Sequence, residues 1–282
     1  MKKTWATLLA ALGSILPAAA HAQSAAHDWQ GFYAGLTVGG TWSGESETGI
    51  DSATTFINPQ QTITGPAHAE SYVAALPSAL WKNSASSAIG GGKLGYNLPL
   101  SAQIVVGIEA DLQATDIDRA ASFRGTSPTL SNNVLTSTVN IAESIDYIGT
   151  LRGRVGWLVA PSLLLYGTGG LAYAGTKTSS FVEQTNTNPF IDNAIAQSHT
   201  SDTRFGWTLG AGAEAMLGTG WSVSGEYLYY DLGTQNVSDG AIAPILNSGL
   251  GAGNPLFVND LSMSSARLDG HIVRVGLSYH FD

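Results

Sequence analysis

The chain has 282 residues with 12 basic and 21 acidic side chains, a formal net charge of −9 and no cysteine. The acidic balance argues against nucleic acid or anionic lipid as a partner, and the lack of cysteine excludes a fold held by disulfides. Charged residues make up 12% of the sequence, about half of the share in a soluble domain.

The first 22 residues have the features of a secretory signal peptide. Lys2 and Lys3 form a short positive region, residues 4–16 are almost wholly apolar, and Ala20-His21-Ala22 fits a small-x-small cleavage site. The apolar segment is shorter than the roughly 20 residues of a membrane-spanning helix. We therefore expect export through the Sec pathway and cleavage before Gln23.

Eight segments of the remaining chain alternate between apolar and polar residues with the period of two expected of β-strands. After the leader, no segment is apolar for 18 residues, so the sequence contains no candidate for a membrane-spanning helix. The fifth segment is apolar on both faces, so its facing stays open. In chain order, the segments are 32–42, 88–98, 104–112, 145–157, 163–175, 205–217, 221–229 and 273–281.

The connections between these segments alternate in length. Three are short turns centred on Leu100, Pro161 and Thr219, and the other four are long and rich in Ser, Thr, Asn, Ala and Gly, which favours mobile loops. Short periplasmic turns and long extracellular loops are typical of outer-membrane barrels. We therefore predict an all-β fold over residues 32–282, an antiparallel up-and-down transmembrane β-barrel of eight strands, preceded by a short periplasmic segment over residues 23–31.

The residues on each strand indicate which face meets lipid. The apolar face carries no charge in the clearly faced segments; in the fourth, Ile145 and Tyr147 are assigned to it and Asp146 to the polar face. Aromatic residues on the apolar face gather at the strand ends, as expected of belts at the two membrane interfaces. The predicted interface aromatics are Phe32, Trp42, Tyr96, Tyr147, Trp157, Phe205, Trp207, Trp221, Tyr229 and Phe281.

The polar face combines charged side chains with many glycines, which suits the narrow interior of an eight-stranded barrel. On a solvent face those glycines would only weaken the strands. Four cations match four anions on this face, and buried charges must pair, so we expect an internal salt-bridge network that serves either as a gate or narrow ion path or as a polar plug. Its predicted members are Lys93, Glu109, Asp111, Arg152, Arg154, Glu214, Glu226 and Arg274.

Five segments in the same order resemble the porin-like outer-membrane immunogenic proteins found in many alphaproteobacteria. The resemblance touches most strands and covers the chain after the leader apart from its loops, which match no known pattern. It implies a surface-exposed barrel that supports envelope integrity. The segments are Trp29–Gly35, Gly107–Leu112, Leu151–Gly156, Leu165–Ala172 and Val273–Phe281.

The C-terminus departs from the pattern of such barrels, which usually end on the aromatic residue that the barrel-assembly machinery recognises. This chain ends with Phe281-Asp282. We expect Phe281 to serve as the assembly signal even so. The efficiency of assembly is the property that the terminal Asp282 would change.

Motifs that carry chemistry are few. Residues 167–172 fit a dinucleotide fingerprint by letters but lie within a strand, whereas that fingerprint joins a strand to a helix. The histidines lack metal-ligand spacing. Ser278 and His280 could pair as nucleophile and base, but both face the lumen near the periplasmic end, so they are interpreted as ordinary strand residues.

The sequence thus predicts a non-enzymatic, structural, surface-exposed outer-membrane protein, porin-like with at most a narrow pore and without a cofactor. The expected partners are outer-membrane lipid, lipopolysaccharide and the barrel-assembly machinery, and the oligomeric state stays open. One alternative is a binding protein whose loops engage haem, a host molecule or a phage. Another is a lipid-modifying enzyme, which would require a carboxylate–His–Ser set at the outer rim.

Overall fold

The computed structural model describes residues 29–44, 46–56, 81–83, 85–128, 134–187, 194–218, 220–242, 257–265 and 268–281. The predicted signal peptide lies outside these residues. Within the described ranges, no helix is long and apolar enough to cross a membrane. The strands are β1 (Gly31–Ser43), β2 (Ser46–Phe56), β3 (Trp81–Asn83), β4 (Ser86–Pro99), β5 (Ile104–Pro128), β6 (Val134–Ala160), β7 (Leu163–Asn186), β8 (Ala194–Gly218), β9 (Trp221–Asp231), β10 (Gln235–Ile242), β11 (Phe257–Ser265) and β12 (Asp269–His280).

Eight of these strands close into one barrel, in the order β1-β12-β9-β8-β7-β6-β5-β4. Every neighbouring pair is antiparallel, and β1 pairs with both β4 and β12, which closes the sheet. The predicted eight-stranded antiparallel barrel is therefore confirmed. The remaining strands form a separate four-stranded sheet in the order β10-β11-β2-β3.

The short turn between β8 and β9 depends on two glycines. Gly218 and Gly220 adopt φ values of 102° and 78°, in the region that side chains with a Cβ avoid. Their backbone freedom lets the chain reverse between strands that pair as far as Gly218 and Trp221. The predicted periplasmic turn at this position thus has a direct backbone cause.

The central strands are much longer than a bilayer requires. β5, β6, β7 and β8 contain 25, 27, 24 and 25 residues, against about 9–11 for a tilted membrane strand. Pairing of β5 with β6 continues to Pro128 and Val134, so much of the connection expected to be a mobile loop is a paired extension of the barrel. One face of this extension buries apolar side chains, including Val139, Ile141 and Val182, which explains why the strands stay paired beyond the membrane.

A register shift between Ile145 and Tyr147 corrects the predicted facing of the fourth segment. Ile145 is 1% exposed and belongs to the interior, whereas Asp146 lies on the outside and pairs with Lys177 at 2.7 Å. An extra residue in one strand of a pair inverts the alternation beyond it, and simple periodicity cannot detect that inversion. The structure also resolves the fifth segment, in which Leu164, Tyr166 and Thr168 face inward.

This inverted facing predicts a difference between two adjacent single-cysteine variants. Since the chain has no native cysteine, Asp146→Cys is expected to react on intact cells with a membrane-impermeant maleimide, because Asp146 is exposed. Ile145→Cys should stay unlabelled until the protein is unfolded, because its side chain is buried. Equal labelling of the two variants would contradict the register shift.

Candidate functional site

The eight predicted lumen charges all lie inside the barrel, and none is more than 7% exposed. Alternation along the strands turns these side chains inward, while their chain neighbours face outward. The four cations and four anions balance, which lowers the cost of holding them in a low-dielectric interior. The network therefore fills the middle of the lumen without leaving a net charge.

Arg152 lies at the centre of the network. Its guanidinium contacts Asp111 at 2.9 Å and Glu226 at 2.7 Å, and it also pairs with Glu109. Its Nε donates a hydrogen bond of 2.9 Å to Thr150, which itself donates to Asp111 over 2.7 Å. One cation thus joins three carboxylates from β5 and β9, which lie on different sides of the lumen.

Arg274 joins the same carboxylates from the opposite wall. Its Nε donates to Glu226 at 2.8 Å and a terminal nitrogen donates to Asp111 at 2.9 Å. β12 and β5 are separated by two strands in the barrel order, so this contact crosses the interior. The two arginines hold the anionic side chains in fixed positions and occupy the space between the strands.

A second group of contacts lies nearer the periplasmic end and contains a member that the charge pattern missed. Arg154 forms an ion pair with Glu214 at 2.8 Å, and its guanidinium donates a hydrogen bond of 2.9 Å to the hydroxyl of Tyr33. The Tyr33 hydroxyl in turn donates a hydrogen bond of 2.7 Å to Glu109, which links this group of contacts to the one around Arg152. Alternation along β1 turns Tyr33 inward, but only the tertiary structure shows that its hydroxyl bridges Glu109 and Arg154.

Lys93 contacts the network more loosely than the arginines do. Its amino group lies 3.7 Å from Glu109 and donates a hydrogen bond of 3.2 Å to Ser224. It also lies 5.7 Å from the centre of the Tyr33 ring. All eight predicted charges are thus brought together with Tyr33 in one cluster.

Inward glycines make room for the large rings of this interior. A Cβ added at Gly212 would lie 2.6 Å from the ring of Tyr166, and one at Gly270 would meet the hydroxyl of Tyr230 at 2.5 Å. These distances are too short for real contacts, so the rings occupy the space that a side chain would otherwise need. This arrangement gives a physical reason for the many glycines on the inward face.

Apolar side chains cover the charged layer on both sides. At the periplasmic end, Trp29 packs with Val105, Leu164 and Tyr166. Its indole nitrogen donates a hydrogen bond of 3.0 Å to the carbonyl of Pro161. Toward the extracellular side, a larger buried cluster fills the lumen. Its members are Ile89, Ile117, Ile145, Ile148, Ala172, Ala174, Leu228, Tyr230, Leu232, Leu268 and Ile272.

The ten predicted interface aromatics lie on the outer face of the barrel, and Phe205 and Phe32 are the most exposed of them at 73% and 66%. At the periplasmic end, the rings of Phe32 and Tyr96 are 4.8 Å apart. At the extracellular end, Trp207 and Tyr229 are 5.4 Å apart. Alternation places all ten outward, and their role at the membrane interfaces remains a prediction.

The interior does not assemble a hydrolytic triad from the described residues around His280. Ser222 and Glu214 both contact the same ring nitrogen, Nε2, at 3.1 Å. In a triad, the carboxylate orients the imidazole through the other nitrogen. No cluster of three potential metal ligands occurs among the described residues.

The comparisons with known proteins agree with this architecture. Residues 6–281 match the family described as outer membrane protein beta-barrel domain. The 31 kDa outer-membrane immunogenic protein of Brucella melitensis is 33% identical over 193 residues, which cover 68% of this chain and 66% of that protein. The chain therefore spans just under two thirds of the length of this curated relative.

Two further proteins show similarity. The 22 kDa outer membrane protein of Rhizobium leguminosarum bv. viciae is 32% identical over 137 residues, which cover 49% of each protein. Among solved structures, the outer membrane protein OprG from Pseudomonas aeruginosa matches with 12% identity and a TM-score of 0.37, covering 89% of this chain and 97% of that one.

Proposed function

The chain belongs to the outer membrane protein β-barrel family and is located in the bacterial outer membrane, and we propose that it is a structural barrel with a sealed interior. In this proposal the charge network is a polar plug. The barrel then anchors surface-exposed strands and loops in the envelope and does not carry solutes.

The observation that carries this proposal is the layered filling of the lumen. A charged layer of paired side chains lies between two buried apolar clusters, one around Trp29 and one around Leu228. Leu164 and Leu228 are each 0% exposed. An ion moving through the barrel would have to displace both apolar layers and separate salt bridges that have no water to replace them.

The geometry of the lumen also favours a role without catalysis. Glu214 and Ser222 are both 0% exposed, and His280 is 5% exposed, so the polar set around Nε2 lies out of reach of a substrate. The lipid-modifying alternative requires its side chains at the outer rim. We therefore propose that the barrel is not an enzyme.

Single-channel recording in planar bilayers tests the sealed interior. We expect the purified full-length protein to produce no discrete conductance steps. Trp29→Ala should remain silent as well, because it opens only the periplasmic apolar layer and leaves the cluster around Leu228 in place. A narrow pore of known conductance, recorded in the same bilayers, serves as the control.

Regular steps from the wild-type protein would overturn the plug. If Arg152→Ala or Glu109→Gln also changed the size or ion selectivity of those steps, the charge network would line a narrow ion path. Heat-modifiable migration of each variant on gels, with a faster band before boiling, must first establish that the barrel has folded.

A further inference from the structure

The extensions of β5–β8 carry an outward surface that is continuous with the lipid-facing surface below. Two rows of cross-strand neighbours form this surface, which we call the extension face. The lower row contains Ala120, Ala142, Ser179 and His199, and the upper row contains Ser122, Asn140, Phe181 and Gln197.

The extension face lies farther from the membrane centre than the upper aromatic residues of the barrel. On β7, Ser179 follows the outward-facing Tyr173 by six residues, which is about 20 Å along a strand. Tyr173 lies among the upper aromatics, 6.4 Å from both Tyr147 and Phe205. The ion pair between Lys177 and Asp146 lies between the two levels. Beyond the aromatic level of an outer membrane, the neighbouring molecules are the saccharide chains of lipopolysaccharide.

The chemistry of the extension face suits a saccharide. Asn140 and Gln197 flank Phe181 on the two neighbouring strands, and Ser122 lies beside Asn140 in the same row. The Phe181 side chain is 38% exposed. The surface contains an open depression with a volume of about 890 Å³. Amides can both donate to and accept from sugar hydroxyls, and an aromatic ring offers an apolar surface for the C–H groups of a sugar.

The same composition disfavours a protein partner. The cores of protein–protein interfaces are enriched in aromatic residues, Met and Arg, and are depleted in Ser and Ala. Four of the eight residues of the extension face are Ser or Ala, and Phe181 is the single Phe, Tyr or Trp among them. The extension face is also continuous with the lipid-facing surface of the barrel, so a glycolipid in the outer leaflet can reach it by lateral diffusion.

We infer that the extension face binds the saccharide portion of lipopolysaccharide in the surrounding outer leaflet. Phe181 packs against one face of a sugar ring, and the side chains of Asn140 and Gln197 exchange hydrogen bonds with its hydroxyl groups. The inference rests on the outer-membrane location and the exposed strands. It does not depend on whether the lumen is sealed, so conductance and saccharide binding can fail independently.

Titration with a soluble oligosaccharide tests this inference without a contribution from the lipid anchor. The probe is the core oligosaccharide released from lipopolysaccharide by mild acid, added to the full-length protein in detergent and followed by calorimetry or by NMR of the sugar. We expect saturable binding that weakens about five-fold in Phe181→Ala, a loss of the size measured for contacts between two aromatic rings. Ser122→Trp, which fills the depression, should abolish binding.

A matched control distinguishes oligosaccharide binding at the extension face from nonspecific binding elsewhere on the protein. Gln197→Ala is expected to weaken binding, whereas Gln103→Ala changes the same residue type in an exposed periplasmic turn and should leave binding unchanged. Each variant must show heat-modifiable migration, so that loss of binding cannot result from failed folding. No saturable binding by the wild type, or equal weakening in Gln103→Ala, would overturn the inference.

Self-association is the outcome that would assign the face to a second copy of the chain. If the wild type were dimeric in detergent and Phe181→Ala monomeric, with no effect of the oligosaccharide on either, the extension face would be a protein interface. A monomeric wild type that binds the oligosaccharide supports the saccharide assignment.

Discussion

Arg152→Ala is expected to destabilise the folded barrel by about 3–5 kcal/mol, the range measured when one partner of a buried ion pair is removed. Arg152 is 1% exposed and contacts three carboxylates. Its loss leaves these carboxylates with too little positive charge and no access to water. Urea unfolding in detergent or lipid vesicles, followed by tryptophan fluorescence and by the gel shift on heating, measures the change.

Two further variants distinguish the buried network from a general effect of removing an arginine. Arg124→Ala removes an exposed cation from the extension of β5 and should leave stability nearly unchanged. The pair Arg152→Met with Glu226→Gln removes one charge of each sign, so its cost should be smaller than the sum of the two single changes. A loss in Arg152→Ala no larger than in Arg124→Ala would show that the salt bridges do not support the fold.

Gly212→Val is expected to lower the folded fraction strongly, because the inward position has no room for a side chain. A Cβ there would lie 2.6 Å from the Tyr166 ring and 2.7 Å from the carbonyl oxygen of Gly225. The ring could rotate away, but the backbone oxygen belongs to the barrel itself. Overpacking typically costs about 1–3 kcal/mol, occasionally more, and refolding into lipid vesicles followed by the gel shift would reveal it.

The neighbouring strand offers a matched control for this substitution. Gly225 faces outward, and a Cβ there meets nothing within 4 Å. Gly225→Val should therefore be neutral or slightly stabilising, because a β-branched residue suits a strand and its methyl groups would lie in lipid. An equal loss of stability in Gly212→Val and Gly225→Val would mean that these glycines are needed for their backbone conformation and not for the space that they leave in the interior.

The aromatic positions illustrate how far local pattern reaches. Alternation alone predicts that Trp207 and Phe205 face outward, and both are outward and exposed in the structure. The period of a strand is set by the backbone, so facing follows from sequence wherever the register is regular. Where β6 gains a residue near Asp146, the same logic assigns the opposite face.

The number of barrel strands, their antiparallel order and the short turn that contains Gly218 and Gly220 follow from the sequence by itself, because alternation and turn chemistry are local properties. The four-stranded sheet β10-β11-β2-β3 lies in connections predicted to be loops and was not foreseen. The inward placement of Arg152 and Glu109 follows in the same way. Only the tertiary structure decided that Tyr33 bridges Glu109 and Arg154, since these contacts join β1, β5 and β6 across the barrel. The burial of Trp29 against Val105 and Leu164 and the paired extensions of β5–β8 likewise depend on contacts between segments far apart in the chain, which no local periodicity encodes.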